Sequence, residues 1–80
     1  MIRAFVMINV EVGKIAHVVE ELKRIQNIEN IAVVAGEFDI IVRVRVQSLE
    51  DLFEVTEKIH KINGIERTTT HVVEKEVSSE

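Results

Sequence analysis

The chain has 80 residues, enough for one small domain, and 46% of them are hydrophobic, with Ile and Val dominant. Its net charge of −4 argues against nonspecific affinity for nucleic acid or for an anionic membrane surface, both of which need basic footprints. It has no cysteine, hence no disulfide, thiol nucleophile or thiolate metal site, and no apolar run approaches the roughly 20 residues that span a bilayer.

The start, Met1-Ile2-Arg3-Ala4-Phe5, lacks the long apolar region and cleavage site of a signal peptide, so a cytoplasmic location is expected. A chain this short buries only about 60–65% of its surface alone. So much aliphatic material in so small a chain implies that another subunit covers part of it.

Ile2–Val10 alternates, with Ala4, Val6, Ile8 and Val10 on one side and Arg3, Phe5, Met7 and Asn9 on the other, and reads as a strand. Its second face is not polar, so Phe5 and Met7 are expected to lie exposed unless something covers them. Glu11-Val12-Gly13 breaks the strand. Ile15, Val18, Val19, Leu22 and Ile25 then form one helical stripe, predicting a helix over 14–26. Residues 27–30 read as a polar hinge around Ile28, and 31–35 as a short apolar strand. Gly36 and Glu37 turn the chain into a strand over 38–46, where Val42, Val44 and Val46 alternate with Arg43 and Arg45.

Ser48 is a helix N-cap candidate, with Asp51 three residues later in an approximate capping box. Leu49, Leu52, Phe53, Val55, Ile59 and Ile62 make the stripe of this second helix, and Asn63-Gly64 supplies its stop. A last strand is expected over 65–77, followed by a short polar tail, Ser78-Ser79-Glu80.

The order is β-α-β-β-α-β, and an internal echo supports it. Ile15, Val18, Leu22, Ile25, Ile28, Glu29 recur 37 residues later as Leu52, Val55, Ile59, Ile62, Ile65, Glu66. Two βαβ-like halves of equal pitch imply an α+β, ferredoxin-like plait, with a four-stranded antiparallel sheet and both helices on one face. The other face then carries Phe5, Met7 and Ile41 with Arg3, Arg43 and Arg45, which suggests that two sheets pack together in a homodimer.

The residues assemble no catalytic set, so no enzyme is expected. Glu37 and Asp39 flank a turn; such carboxylates are usually solvated or capping groups. Asp39 reads either as an acceptor for an ammonium group or as turn chemistry that binds nearby backbone amides. His17, His60 and His71 lack the spacing of a metal site, although His71 could border a binding site. Arg43 and Arg45 share a sheet face and are expected to pair with carboxylates such as Glu66 or Glu74 rather than to grip an anion. Thr68, Thr69 and Thr70 are good strand formers that also offer hydroxyls to a ligand. Gly13, Gly36 and Gly64 are isolated turn residues, and no phosphate-binding loop occurs.

Three stretches together resemble a known family: Gly36-Glu37-Phe38-Asp39 followed by Ile40–Val46, then Leu49-Glu50-Asp51-Leu52, then Ile62-Asn63-Gly64-Ile65-Glu66-Arg67-Thr68-Thr69-Thr70-His71-Val72-Val73. The G-x-[FY]-D turn, the V-R-V strand and the G-[VI]-x-x-T-x-T strand lie in the order and spacing of the effector-binding, or RAM, domain of Lrp/AsnC transcription regulators. The resemblance covers essentially the whole chain. It implies a βαββαβ fold, homodimers through sheet-to-sheet contact, and higher assembly, often an octamer of four dimers in a ring. It also implies an amino acid or related small metabolite bound between dimers, with no cofactor. Carried over residue by residue, the family's ligand contacts fall on Gly36, Phe38, Asp39, Thr68 and Thr70. The backbone near Gly36 would receive the ligand carboxylate, and Asp39 the ammonium.

Family regulators carry an N-terminal helix-turn-helix domain, whereas the first strand here begins at Ile2, directly after Met1. The expectation is therefore a stand-alone effector-binding domain over residues 1–77, with tail residues 78–80. Such a domain does not read DNA itself and acts by co-assembling with a full-length regulator. Two competing readings are a cofactor-light dimeric α/β-barrel enzyme and a passive assembly domain without ligand.

Overall fold

The computed structural model describes residues 1–79; Glu80, the end of the expected polar tail, lies outside the described residues. The elements are β1 (Ile2–Val10), α1 (Ile15–Leu22), β2 (Ile28–Val33), β3 (Ile40–Val46), α2 (Leu49–His60) and β4 (Ile65–Val72). They form one antiparallel sheet of order β2-β3-β1-β4, the ferredoxin-like arrangement expected from the sequence.

Period-two alternation sets the core. Ala4, Val6, Ile8 and Val10 of β1 and Ile40, Val42, Val44 and Val46 of β3 bury one sheet face. Against it pack Val18 and Leu22 of α1 and Leu52, Val55 and Ile59 of α2. Each fully buried aliphatic side chain contributes about 1.5–3 kcal/mol of transfer free energy. Ser48 caps α2 as expected, its hydroxyl accepting from the Asp51 amide at 3.1 Å.

The 37-residue echo holds in three dimensions. Val18 and Leu22 match Val55 and Ile59 as buried anchors, and Ile25, Ile28, Ile62 and Ile65 all pack against the rim of the core. Even the backbone repeats. Asn27 (φ 76) and Gly64 (φ 107), also 37 positions apart, both take the left-handed conformation just before a strand. Ile15 breaks the match, being 36% exposed where Leu52 is 2% exposed.

Several boundaries differ from expectation. α1 ends at Leu22 rather than residue 26, because three-residue hydrogen bonds (Arg24 to Glu21 and Ile25 to Leu22, both 3.1 Å) tighten the chain toward Asn27. β2 begins at Ile28 rather than Ile31. Glu29 and Asn30 belong to this strand, not to a hinge, and a register shift between Ile28 and Asn30 accommodates them. β3 starts at Ile40 rather than Phe38, and β4 ends at Val72, although Val73 still donates to the Arg3 carbonyl at 2.8 Å.

On the helix-free face, Met7 is not exposed as expected but only 8% accessible. It sits in a central strand, flanked by its register partners Ile41 on β3 and Thr69 on β4. Phe5 and Ile41 are half-buried on that face. Arg43 and Arg45 do not reach Glu66 or Glu74. Both pair with Glu29 of β2, at 3.6 and 3.2 Å, while Arg3 pairs with Glu76 at 3.1 Å. Arg3 and Arg45 are directly opposite in the ladder, so these outer carboxylates offset a like-charge cross-strand pair.

Candidate ligand-binding site

The turn between β2 and β3 reaches the end of the sheet where β1 finishes and β4 begins. Three hydrogen bonds pin it to β1. The Asp39 amide donates to the Ile8 carbonyl at 3.0 Å, the Val10 amide donates to Asp39 Oδ2 at 2.8 Å, and the Asn9 side-chain amide donates to the Glu37 carbonyl at 2.9 Å. A fourth, from the Val34 amide to the Asp39 carbonyl at 2.9 Å, closes the turn on itself.

The Asp39 carboxylate thus bonds to a backbone amide of β1, 29 positions away in sequence, rather than to an amide of its own turn. Its carboxylate continues the β1–β3 ladder one step past the place where the backbone of β3 bends away. Gly36 is exposed, with φ 149, and a Cβ placed there would meet nothing within 4 Å. The backbone on either side of it is thus open to an approaching molecule. Phe38 is half-buried beside it.

The two threonines lie elsewhere. Thr68 and Thr70 are register partners of Ile8 and Val6, so they face the helix side of the sheet, whereas Thr69, opposite Met7, faces the helix-free side. Thr68 Oγ1 lies 2.6 Å from His60 Nε2 at the end of α2. Thr70 is exposed. β1 separates β3 from β4, and with strands about 4.8 Å apart the two sets stand about 10 Å from each other. One chain thus brings Gly36, Phe38 and Asp39 together, while its Thr68 and Thr70 stand about 10 Å away across β1. His71, on the helix-free face opposite Phe5, borders neither set.

Residues that the sequence did not mark as ligand contacts line an open groove at this end of the sheet. Asn9, Glu37, Glu66 and Arg67 surround a volume of about 410 Å³. A β-bulge builds it. Val10 pairs with Ile65 and Asn9 with Arg67, so Glu66 is the extra residue, and the consecutive Glu66 and Arg67 line the same groove. Among the described residues, no three His, Cys, Asp or Glu side chains gather as a metal site, and no helix is long and apolar enough to cross a membrane.

Comparison with known proteins agrees with this architecture. The family model of the Lrp/AsnC ligand binding domain matches residues 3–80. An uncharacterized HTH-type transcriptional regulator of Pyrococcus abyssi is 37% identical over 71 residues, covering 88% of this chain and 45% of its own. The chain thus spans about half the length of the curated relatives it matches. A hypothetical protein of Pyrococcus horikoshii of known crystal structure superposes with a TM-score of 0.84 at 36% identity, covering 95% of this chain and 93% of its own. The feast or famine regulatory protein of M. tuberculosis, solved in complex with L-methionine, superposes with a TM-score of 0.84 at 25% identity, covering 99% of this chain and 54% of its own. In sequence and in fold, the chain belongs to the Lrp/AsnC ligand-binding domain family.

Proposed function

We propose that this domain binds an amino acid or related metabolite at the β2–β3 turn and serves as an effector-sensing and assembly module in transcription regulation. The observation that carries the reading is the turn itself. Its backbone around Gly36 is open, yet four hydrogen bonds around Asp39 and Glu37 hold it in place, so little ordering cost remains when a ligand arrives. The methionine complex of the M. tuberculosis relative supports an amino-acid ligand.

The gap of about 10 Å between the turn and Thr68–Thr70 favours a site completed by a second copy, which would bring its own Thr68 and Thr70 to the turn. Phe5 and Ile41 on the helix-free face suit a sheet-to-sheet homodimer as the unit of that assembly. The acidic balance fits a domain that contributes no DNA contact and acts through a DNA-binding regulator of the same family.

Thermal-shift screening of the twenty amino acids, coupled to native mass spectrometry, tests this. A ligand at one hundred times its Kd stabilises the native state by about 2.7 kcal/mol, which for a chain this size raises Tm by about 10–20 °C. A flat profile across all twenty at millimolar concentration would refute the proposal.

A further inference from the structure

We infer that the groove beside the turn selects an amino acid bearing a second positive charge, with the ligand carboxylate against Arg67 and its two cationic groups toward Glu37 and Glu66. This rests on the proposal that an amino acid binds at this end of the sheet, and it assigns the charges.

Three observations lead to it. First, the bulge directs two consecutive side chains of opposite charge, Glu66 and Arg67, into one groove of about 410 Å³, which is ample for an amino acid. Second, these charges are free. Arg3, Arg24, Arg43 and Arg45 each reach a carboxylate at 3.1–3.6 Å, whereas among the described residues Arg67, Glu37 and Glu66 form no ion pair. Asp39, by contrast, already accepts from the Val10 amide. Third, Glu37 is held at its backbone by Asn9, so its carboxylate starts from a fixed point on the rim.

The charge count then sets the preference. One guanidinium and two carboxylates leave the groove at −1. A neutral amino acid satisfies Arg67 with its carboxylate and one glutamate with its ammonium, and leaves the other glutamate without a partner. A side-chain cation completes the set. An acidic side chain meets like charge and is disfavoured.

Calorimetric titration of the intact chain with L-lysine, L-norleucine, L-glutamate and 1,5-diaminopentane tests the assignment. Norleucine matches lysine without the terminal amine, and the diamine lacks the carboxylate. Lysine is expected to bind about fivefold more tightly than norleucine, the value of one well-placed exposed ion pair. Glu37→Gln or Glu66→Gln should each bring that ratio to about one, and Arg67→Gln should weaken both amino acids equally. The inference is overturned if norleucine, glutamate or the diamine binds as tightly as lysine, or if the ratio survives both glutamate substitutions. If no amino acid binds at all, the proposed function falls and this inference with it.

Discussion

Replacing Asp39 with alanine separates a residue that holds the fold from one that only touches ligand. In the free domain its carboxylate accepts from the Val10 amide at 2.8 Å, in a half-buried position. A hydrogen bond to a charged group contributes about 1.5–3 kcal/mol. Partial exposure lets water replace some of it, so Asp39→Ala should cost about 1–2 kcal/mol, or about 5–15 °C in Tm for a domain of this length. Asp39→Asn keeps an oxygen acceptor and should lose less than half as much. The assay is urea unfolding followed by circular dichroism, at one protomer concentration because assembly shifts apparent stability. The midpoint should move while the slope stays constant. If the urea midpoint of Asp39→Ala coincides with that of the parent chain, the bond to Val10 is idle and the reasoning fails.

Gly64→Ala should cost about 1–3 kcal/mol, because φ 107 disfavours any side chain and the new Cβ would stand 2.9 Å from Lys14 Cβ; equilibrium unfolding measures it. Leu22→Ala, at a fully buried core position, should cost about 2–5 kcal/mol and come close to unfolding the isolated domain in the same assay. Ser48→Ala removes the cap of α2 and should lose about 1 kcal/mol. Ile41→Glu, which places a charge at the centre of the helix-free face, should convert dimers to folded monomers in sedimentation velocity; an unchanged dimer would exclude that face as the interface.

The plait was readable in the sequence because its two periods are clean. β1 and β3 alternate, and the 37-residue echo marks both helices by residues that, Ile15 apart, prove to be buried in the core or packed against it. Boundaries failed where a side chain does the work of backbone. Asp39 substitutes for a ladder partner, which conceals that β3 starts only at Ile40. Glu29 and Asn30 look like hinge residues until Arg43 and Arg45 are seen to hold Glu29 in β2. Of the candidate ligand residues, Gly36, Phe38 and Asp39 cluster as the turn motif implies. Thr68 and Thr70 stand apart because which face they occupy depends on a bulge, and nothing local in Ile65-Glu66-Arg67 announces one. That same bulge kept Arg67, Asn9 and Glu66 out of view as groove residues.

The bulge also makes this strand unusually forgiving of one particular loss. Deleting a residue from the interior of a β-strand normally turns every later side chain to the wrong face. Here Glu66 is the residue the ladder does not count. Without it, Ile65 still meets Val10, Arg67 still meets Asn9, and Thr68 still meets Ile8. A single-codon deletion at position 66 would leave the frame of β4 unchanged while removing one charge from the groove, so related chains could gain or lose that charge by length variation alone.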